Sequence, residues 1–428
     1  MAIAAGQRCI ECSNNVEIAV FVPKAAISAF KKDFKKAGVK YSTYVTGDIN
    51  VDKEARFHLF SYSRLDEFIK WQCSHEKPII GVFDEVHFLG NKNQTTEKLL
   101  MLRKRFAFVV GMSGTPLQDK AEAVFPIINF INPGFLKSYI WFKDNFLTTE
   151  KVWAKRGNKR VQIEKISGLK NNEVLSKHLS KMMFTKSRKY NMDFQYRSCF
   201  MDEEEREFYV KSSKGILEED NETVFSARLH DLQRVVDGSL VEMDRKTLAS
   251  KERLLISTLT EIMSRNESTL VYCLYEDTYK RLYKILESYK HLIGYSKLHL
   301  ITGKVKYEDR LKVEKDMPLK SIVLMTKAGT QSINLQAANN IVFFTLPWDC
   351  GSLIQAVGRI TRSDTTFDTQ HVYFLESTDT IDTYRRLLIE SKLSMITSVF
   401  GSQPTLPDIK PFEIDKKELK KYMLWKKY

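Results

Sequence analysis

The stretch Pro78-Ile-Ile-Gly-Val-Phe-Asp-Glu-Val-His87 decides the fold. Its apolar run, Ile79 to Phe83, is short, rich in branched and aromatic residues, and preceded by a proline. Such a run reads as a strand buried on both faces. It stops at Asp84, Glu85 and His87, which therefore fall at the strand's C-terminal end. Ligands of open parallel α/β sheets bind along that edge. Adjacent carboxylates repel each other unless a cation or a proton sits between them. A hard cation such as Mg2+ takes carboxylate oxygens together with waters and a substrate phosphate. One acid on a metal and the other orienting a water is the arrangement of a nucleotide hydrolase. A capped, solvated turn accounts for the same residues equally well.

Upstream of this strand, Met1 to Ala5 reads as the tail of a helix and Val16 to Val22 as a strand closed by Pro23-Lys24. Ala25 to Ala37, with Ile27, Phe30 and Phe34 at helical spacing, reads as a helix. Arg56 to Tyr62 reads as a strand and Leu65 to Trp71 as a helix. Downstream come a basic helix, Glu97 to Arg105, and a buried strand, Phe106 to Gly111, that runs into the small-residue turn Met112 to Pro116. This β-α alternation predicts a parallel sheet with helices on its faces. From Ala121 to about Leu240 helical spacing takes over. Lys151 to Val161 reads there as a basic hairpin or loop, and Lys186 to Ser198, polar and irregular, as a linker. Helices are expected at Glu203 to Lys214 and Ala227 to Val236.

A second β-α series follows. Strands are expected at Thr269 to Leu274, Leu298 to Thr302, Ser321 to Met325, Asn340 to Thr345 and Val372 to Leu375. Helices are expected at Lys251 to Met263, Glu276 to Glu287, Tyr307 to Lys315 and Thr380 to Ile396, with one more, capped by Asp349 or Ser352, running to about Thr361. Beyond Gly401 lies a lysine-rich tail.

At 428 residues the chain is too long for one ordinary core, so two domains are expected. With 43% hydrophobic residues and only 18 Gly and 10 Pro it is globular. A net charge of +14 points to a polyanionic partner, nucleic acid before a membrane surface, although a Lys-rich surface also serves solubility. No apolar run reaches the length of a membrane span, and no signal peptide is legible. Six cysteines in a chain of this length do not make a disulfide framework, which fits an intracellular, reducing compartment. Cys9-Ile-Glu-Cys12 has a zinc-ligand spacing that Cys73 and His75 would complete, but the second half lacks the regular pair of a zinc ribbon.

The second sharp signal is Gln355-Ala-Val-Gly-Arg-Ile-Thr-Arg362. On a helix, Gln355, Arg359 and Arg362 share one face. Arginine suits bidentate phosphate recognition, and such residues act as fingers on a γ-phosphate. A surface helix with ion pairs is the plainer alternative.

In these residues the chain resembles a superfamily 2 helicase, specifically a SWI/SNF-type DNA-dependent ATPase. Asp84 to His87 resembles motif II, Ser113 to Pro116 motif III, Gln355 to Arg362 motif VI, and Val20 to Lys24 motif Ia. Thr326-Lys-Ala-Gly329, continuing to Asn334-Leu335 and Ala337-Ala338, resembles motif V. Asn129 to Phe135 and Trp141-Phe-Lys resemble the SWI/SNF-type stretch that follows motif III. The motifs span nearly the whole chain in the family's order.

The resemblance implies two RecA-like parallel-sheet lobes around an ATP cleft, with a helical insert. The first lobe would take 1–185, with a protrusion from about 121. A linker and helical segment would take 186–245, the second lobe 246–400 and the basic tail 401–428. Asp84 would hold Mg2+, with Glu85 beside it positioning the attacking water. His87 and Thr115 would link the nucleotide site to lobe movement. Gln355 and Gly329 belong to the nucleotide-facing motifs, and Arg359 and Arg362 would contact the γ-phosphate. Lys24, Ser61, Thr302, Thr326 and Lys327 would lie along a DNA duplex, bound without sequence preference by a monomer. The compartment would be cytoplasmic in a bacterial or viral source and nuclear in a eukaryote.

Two departures from the family stand out. Thr330 and Ser332 replace motif V glycines, and the phosphate-binding G-x-G-K-[ST] loop does not occur within these 428 residues. The expectation is duplex binding with little ATP hydrolysis by the chain as written. The alternatives are a non-catalytic nucleic-acid-binding module or an RNA-directed helicase of the same superfamily.

Overall fold

The computed structural model describes residues 2–13, 15–91, 93–114, 121–156, 159–184, 191–217, 219, 222–239, 247–305, 307–327, 333, 335–361, 367–400 and 416–423. The chain divides into two units, Met1–Val152 with Ile163–Asn172, and Trp153–Gln162 with Glu173–Tyr428.

In the first unit, Ile79–Phe83 is a strand with every residue buried. In chain order the strands are β1 (Glu17–Val22), β2 (Tyr41–Val45), β3 (Asp48–Asn50), β4 (Phe57–Ser61), β5 (Ile79–Phe83) and β6 (Phe108–Gly111). In space they run β3-β2-β4-β1-β5-β6. Only β3 is antiparallel to its neighbour. Parallel neighbours require crossovers, and the helices Ile27–Lys36, Leu65–Cys73 and Gln94–Leu102 supply them. Phe21 on β1 is the register partner of Phe60 on β4 and of Phe83 on β5, so the three rings share one face. They stack at 5.4 and 4.6 Å between centroids, with Phe68 and Phe106 edge-on to Phe21. This aromatic ladder pins three strand ends directly beneath the acidic residues.

Four elements of this unit differ from expectation. The N-terminal helix runs further than expected, over Ala2–Cys12, because Ile3, Gly6, Cys9 and Ile10 continue the apolar spacing and pack near β1. A Cβ at Gly6 would stand 2.5 Å from the Phe57 ring, so glycine sets how closely that helix approaches the sheet. Strands β2 and β3, not anticipated, form a hairpin about Gly47, whose φ of 79° suits glycine. The basic helix starts earlier and ends earlier, at Gln94–Leu102, because Asn93 caps it and Arg103–Arg105 turns away.

After a two-stranded hairpin, β7 (Leu147–Arg156) and β8 (Lys159–Leu169), come β9 (Asn191–Cys199), β10 (Thr269–Cys273), β11 (Lys297–Ile301), β12 (Ser321–Thr326), β13 (Asn340–Phe343) and β14 (Thr369–Ser377). The last six form the second unit's sheet, ordered β11-β12-β10-β13-β14-β9 and parallel throughout. The segment read as an irregular linker, Lys186 to Ser198, thus contains most of a strand. β9 pairs with β14 from Asn191↔Thr369 to Cys199↔Ser377. It is an edge strand, with polar Asp193, Gln195 and Arg197 alternating with Met192, Phe194 and Tyr196, and Phe194 and Tyr196 stack on Phe374. Half-polar alternation hides such a strand from a reading that looks for apolar runs.

A buried ion cluster ties helices to this sheet. Lys251 Nζ lies 3.2 Å from Asp237 and 2.6 Å from Asp382, all three nearly inaccessible. Thr345, just past β13, donates to Asp237 at 2.7 Å. The lysine-rich tail also contributes an element. Its helix Lys416–Met423 buries Leu419 and accepts a hydrogen bond from Tyr209 at the Tyr422 carbonyl. Among the described residues, no helix is long and apolar enough to cross a membrane.

Candidate functional site

In the first unit the C-terminal ends of β4, β1, β5 and β6 lie side by side. Ser61 is the register partner of Val22, Phe21 that of Phe83, and Phe83 that of Gly111. One sheet edge therefore gathers Lys24, the Ser61–Arg64 turn, Asp84, Glu85, His87 and Ser113 from four separate stretches.

The backbone at Asp84 and Glu85 is held tightly. Asp84 N–H donates to Phe21 O at 2.9 Å, and Val86 N–H to Met112 O at 2.9 Å. Tyr62, a residue the sequence did not single out, donates its hydroxyl to the Asp84 carbonyl at 2.5 Å. Between these anchors Glu85 adopts a left-handed conformation, φ 52°, uncommon outside glycine. Strain of this kind turns consecutive side chains sharply after the strand. Burial, and then the charge of Glu85, push the Asp84 carboxyl up to about 6. Burial, with Asp84 and Glu85 adding to it, drives the Tyr62 phenol upward as well.

His87 Nδ1 is hydrogen-bonded to Ser113 Oγ at 2.8 Å, which links the end of β5 to that of β6. The same nitrogen stands 3.1 Å from Glu85 Oε2. That oxygen is buried and has no hydrogen-bond partner among the described residues. Two acids with one raised pKa and one orphaned oxygen fit a hard divalent cation, which supplies the missing positive charge. Among the described residues no group of three or more His, Cys, Asp or Glu forms a metal cage. Cys9, Cys12 and Cys73 are free thiols.

Lys24 is exposed just beyond β1. Ser61 is 1% exposed and bonded to Ser63 Oγ at 3.0 Å. The exposed hydroxyl at this turn is Ser63, so a phosphate reaching it meets Ser63 before Ser61. Ser61 ends an inward-packed strand, a fact that depends on register and is invisible in local sequence.

The second unit repeats the pattern. Ile301 and Met325 are register partners, as are Thr326 and Cys273, so Thr302 and Lys327 emerge side by side at the C-terminal edge. Arg310 fixes the Thr302 turn by donating to Thr302 O at 2.8 Å and Val305 O at 3.0 Å. Lys327 pairs with Asp349 at 2.8 Å. Asp349 is the N-cap, accepting from Ser352 N–H at 2.6 Å. The helix it starts ends at Val357 rather than near Thr361, because at Gly358 the chain passes into tighter turns. Gln355 therefore lies on the helix and Arg359 past its end, so the single helical face expected for them does not form. Arg359 donates instead to Gln355 O at 3.2 Å and Ile333 O at 2.9 Å. Thr115, Gly329 and Arg362 lie outside the described residues.

Residues 31–268 match the family model of the SNF2-related domain, and residues 250–364 that of the helicase conserved C-terminal domain. The chain belongs to the SNF2-related family. An uncharacterized ATP-dependent helicase of Bacillus subtilis, YqhH, is 22% identical over 75% of this chain and 59% of its own length. The ATP-dependent DNA helicase DDM1 of Arabidopsis thaliana is 24% identical over 75% of this chain and 45% of its own. The chain thus spans about half the length of these two relatives. The Sulfolobus solfataricus SWI2/SNF2 ATPase core in complex with dsDNA aligns over 93% of this chain and 84% of that one, with 18% identity and a TM-score of 0.39.

Proposed function

We propose that this SNF2-related chain is the core of an ATP-driven translocase acting on duplex DNA without sequence preference. The observation that carries the reading is the Asp84–Glu85 turn. It holds a carboxyl at about 6 and an orphaned buried carboxylate oxygen at the ligand-binding edge of a parallel sheet. Membership of the SNF2-related family, with relatives named as ATP-dependent helicases, supports ATP as the nucleotide.

Asp84 would hold Mg2+, with Glu85 beside it, and the ion would neutralise charge on the phosphates. Glu85 orients the water that attacks, its position set by the left-handed turn. His87, bonded to Ser113, transmits the state of this turn to the end of β6. Arg359 supplies a guanidinium to the γ-phosphate, giving up carbonyl bonds to do so. Lys24, Ser63, Thr302 and Lys327 meet duplex phosphates, which position the protein without reading bases.

The test is ATP hydrolysis with and without duplex, by this chain and by a longer one extended at its N-terminus. Duplex-stimulated turnover that falls by two or more orders of magnitude in Glu85→Gln, with duplex affinity retained, is the expected result. Duplex binding with no turnover by either protein would leave a binding module. Stimulation by single-stranded RNA but not duplex DNA would move the substrate class.

A further inference from the structure

Asp349 does two jobs with one carboxylate. Oδ1 accepts the Ser352 N–H at 2.6 Å, and Oδ2 accepts the Ser352 hydroxyl at 2.7 Å, closing the N-terminus of the helix Cys350–Val357. Oδ2 also pairs with Lys327 Nζ at 2.8 Å. The two partners differ in exposure: the Asp349 side chain is 13% accessible and that of Lys327 is 56%. The acid is fixed in the fold, whereas the ammonium sits at the surface on a flexible stem. Although burial alone would raise it, the Asp349 carboxyl is held below its ordinary value by Lys327 and Ser352. It is thus an ionised counter-charge.

Lys327 emerges beside Thr302 at the C-terminal edge of the second sheet. A half-exposed ion pair is weak, and a phosphate is a competing anion for the same ammonium. A helix N-terminus stabilises whatever carboxylate caps it, so Asp349 keeps a favourable partner when Lys327 leaves.

We propose that Asp349 is a positioning residue that competes with duplex phosphate for Lys327. Without nucleic acid it parks the lysine over the cap. On binding, Lys327 transfers to phosphate and Asp349 remains committed to the helix that carries Gln355. This rests on the duplex-binding reading above. It adds that an acid set back from the surface weakens binding by restraining a lysine.

Asparagine caps helices as well as aspartate does, so Asp349→Asn removes the charge and leaves the cap. The experiment measures duplex affinity by fluorescence anisotropy at several salt concentrations. It compares the wild type, Asp349→Asn, Lys327→Ala and the double variant, with thermal melting to confirm folding. Asp349→Asn should bind about two- to five-fold tighter, the size of a surface ion pair no longer broken on binding. The gain should vanish in the Lys327→Ala background. Lys327→Ala alone should bind more weakly and show a salt dependence reduced by about one phosphate contact. Unchanged or weaker binding by a folded Asp349→Asn overturns the proposal. So does equal tightening with and without Lys327, which would be a general effect of one fewer negative charge. Salt-insensitive or absent duplex binding by the wild type would sink the duplex reading and this proposal together. Wild-type binding that is salt-sensitive but indifferent to Asp349 would sink only this one.

Discussion

At Asp84 the chain tolerates an unfavourable charge. Its carboxyl is raised from 3.8 to about 6, chiefly by burial and then by Glu85. Well below pH 3.8 the group is neutral in folded and unfolded chains alike, and there is no penalty. As pH rises from 4 to 6 the unfolded chain ionises first, so stability falls, and the loss is complete above about 6. At 1.36 kcal/mol per pKa unit the penalty is at most about 3 kcal/mol. In EDTA, Asp84→Asn should therefore melt at a higher temperature than the wild type at pH 7.5, with a much smaller difference at pH 4. A shift of equal size at both pH values would assign the effect to packing instead. The acidic pair was legible because its signal is contiguous: an apolar run, then two acids and a histidine. Tyr62, which reaches the Asp84 carbonyl, and Ser63, exposed at the same turn, were not, because the place of that turn at this edge depends on which strand neighbours which.

Among the elements, β9 shows what limited the reading. Parallel strands with both faces covered advertise themselves as apolar runs, and those central to each sheet were found. β9 lies at an edge and alternates, so it reads as polar. Arg359 was misplaced for a related reason. Spacing alone continues a helix through Gly358, whereas the backbone turns there. The ion cluster at Lys251 carries an element-scale prediction, because it joins the helices Glu222–Val236, Ser250–Ser264 and Ile381–Phe400 across fully buried carboxylates. Asp237 and Asp382 face each other through the ammonium. Lys251→Met leaves two buried acids without the ammonium they pair with, which should cost about 3–5 kcal/mol. Urea unfolding should show the loss. Adding Asp382→Asn should recover part of it, since only one buried charge then remains. No recovery in the double variant would mean that Lys251 acts through its packed stem rather than its charge.

At the scale of the whole chain, each unit, taken by itself, has a parallel sheet with lysines just past C-terminal strand ends. The excess of 67 Lys and Arg over 53 Asp and Glu is not spread evenly in purpose. Lys24 sits past β1 in one unit and Lys327 past β12 in the other, each at a C-terminal strand end. Lys70, by contrast, lies in the last turn of the helix Leu65–Cys73, which returns toward the opposite edge of its sheet. If the C-terminal edges carry the duplex, only the first two lysines release counterions on binding. Each phosphate contact contributes about 0.9 to the slope of log K against log salt. Lys24→Ala and Lys327→Ala should each lower the slope by about that amount, and the pair together by about 1.8. Lys70→Ala should leave the slope unchanged. A uniform decrease for all three would mean that the duplex responds to net charge and not to these strand ends. An effect confined to one unit would mean that the other sheet's edge does not touch the nucleic acid.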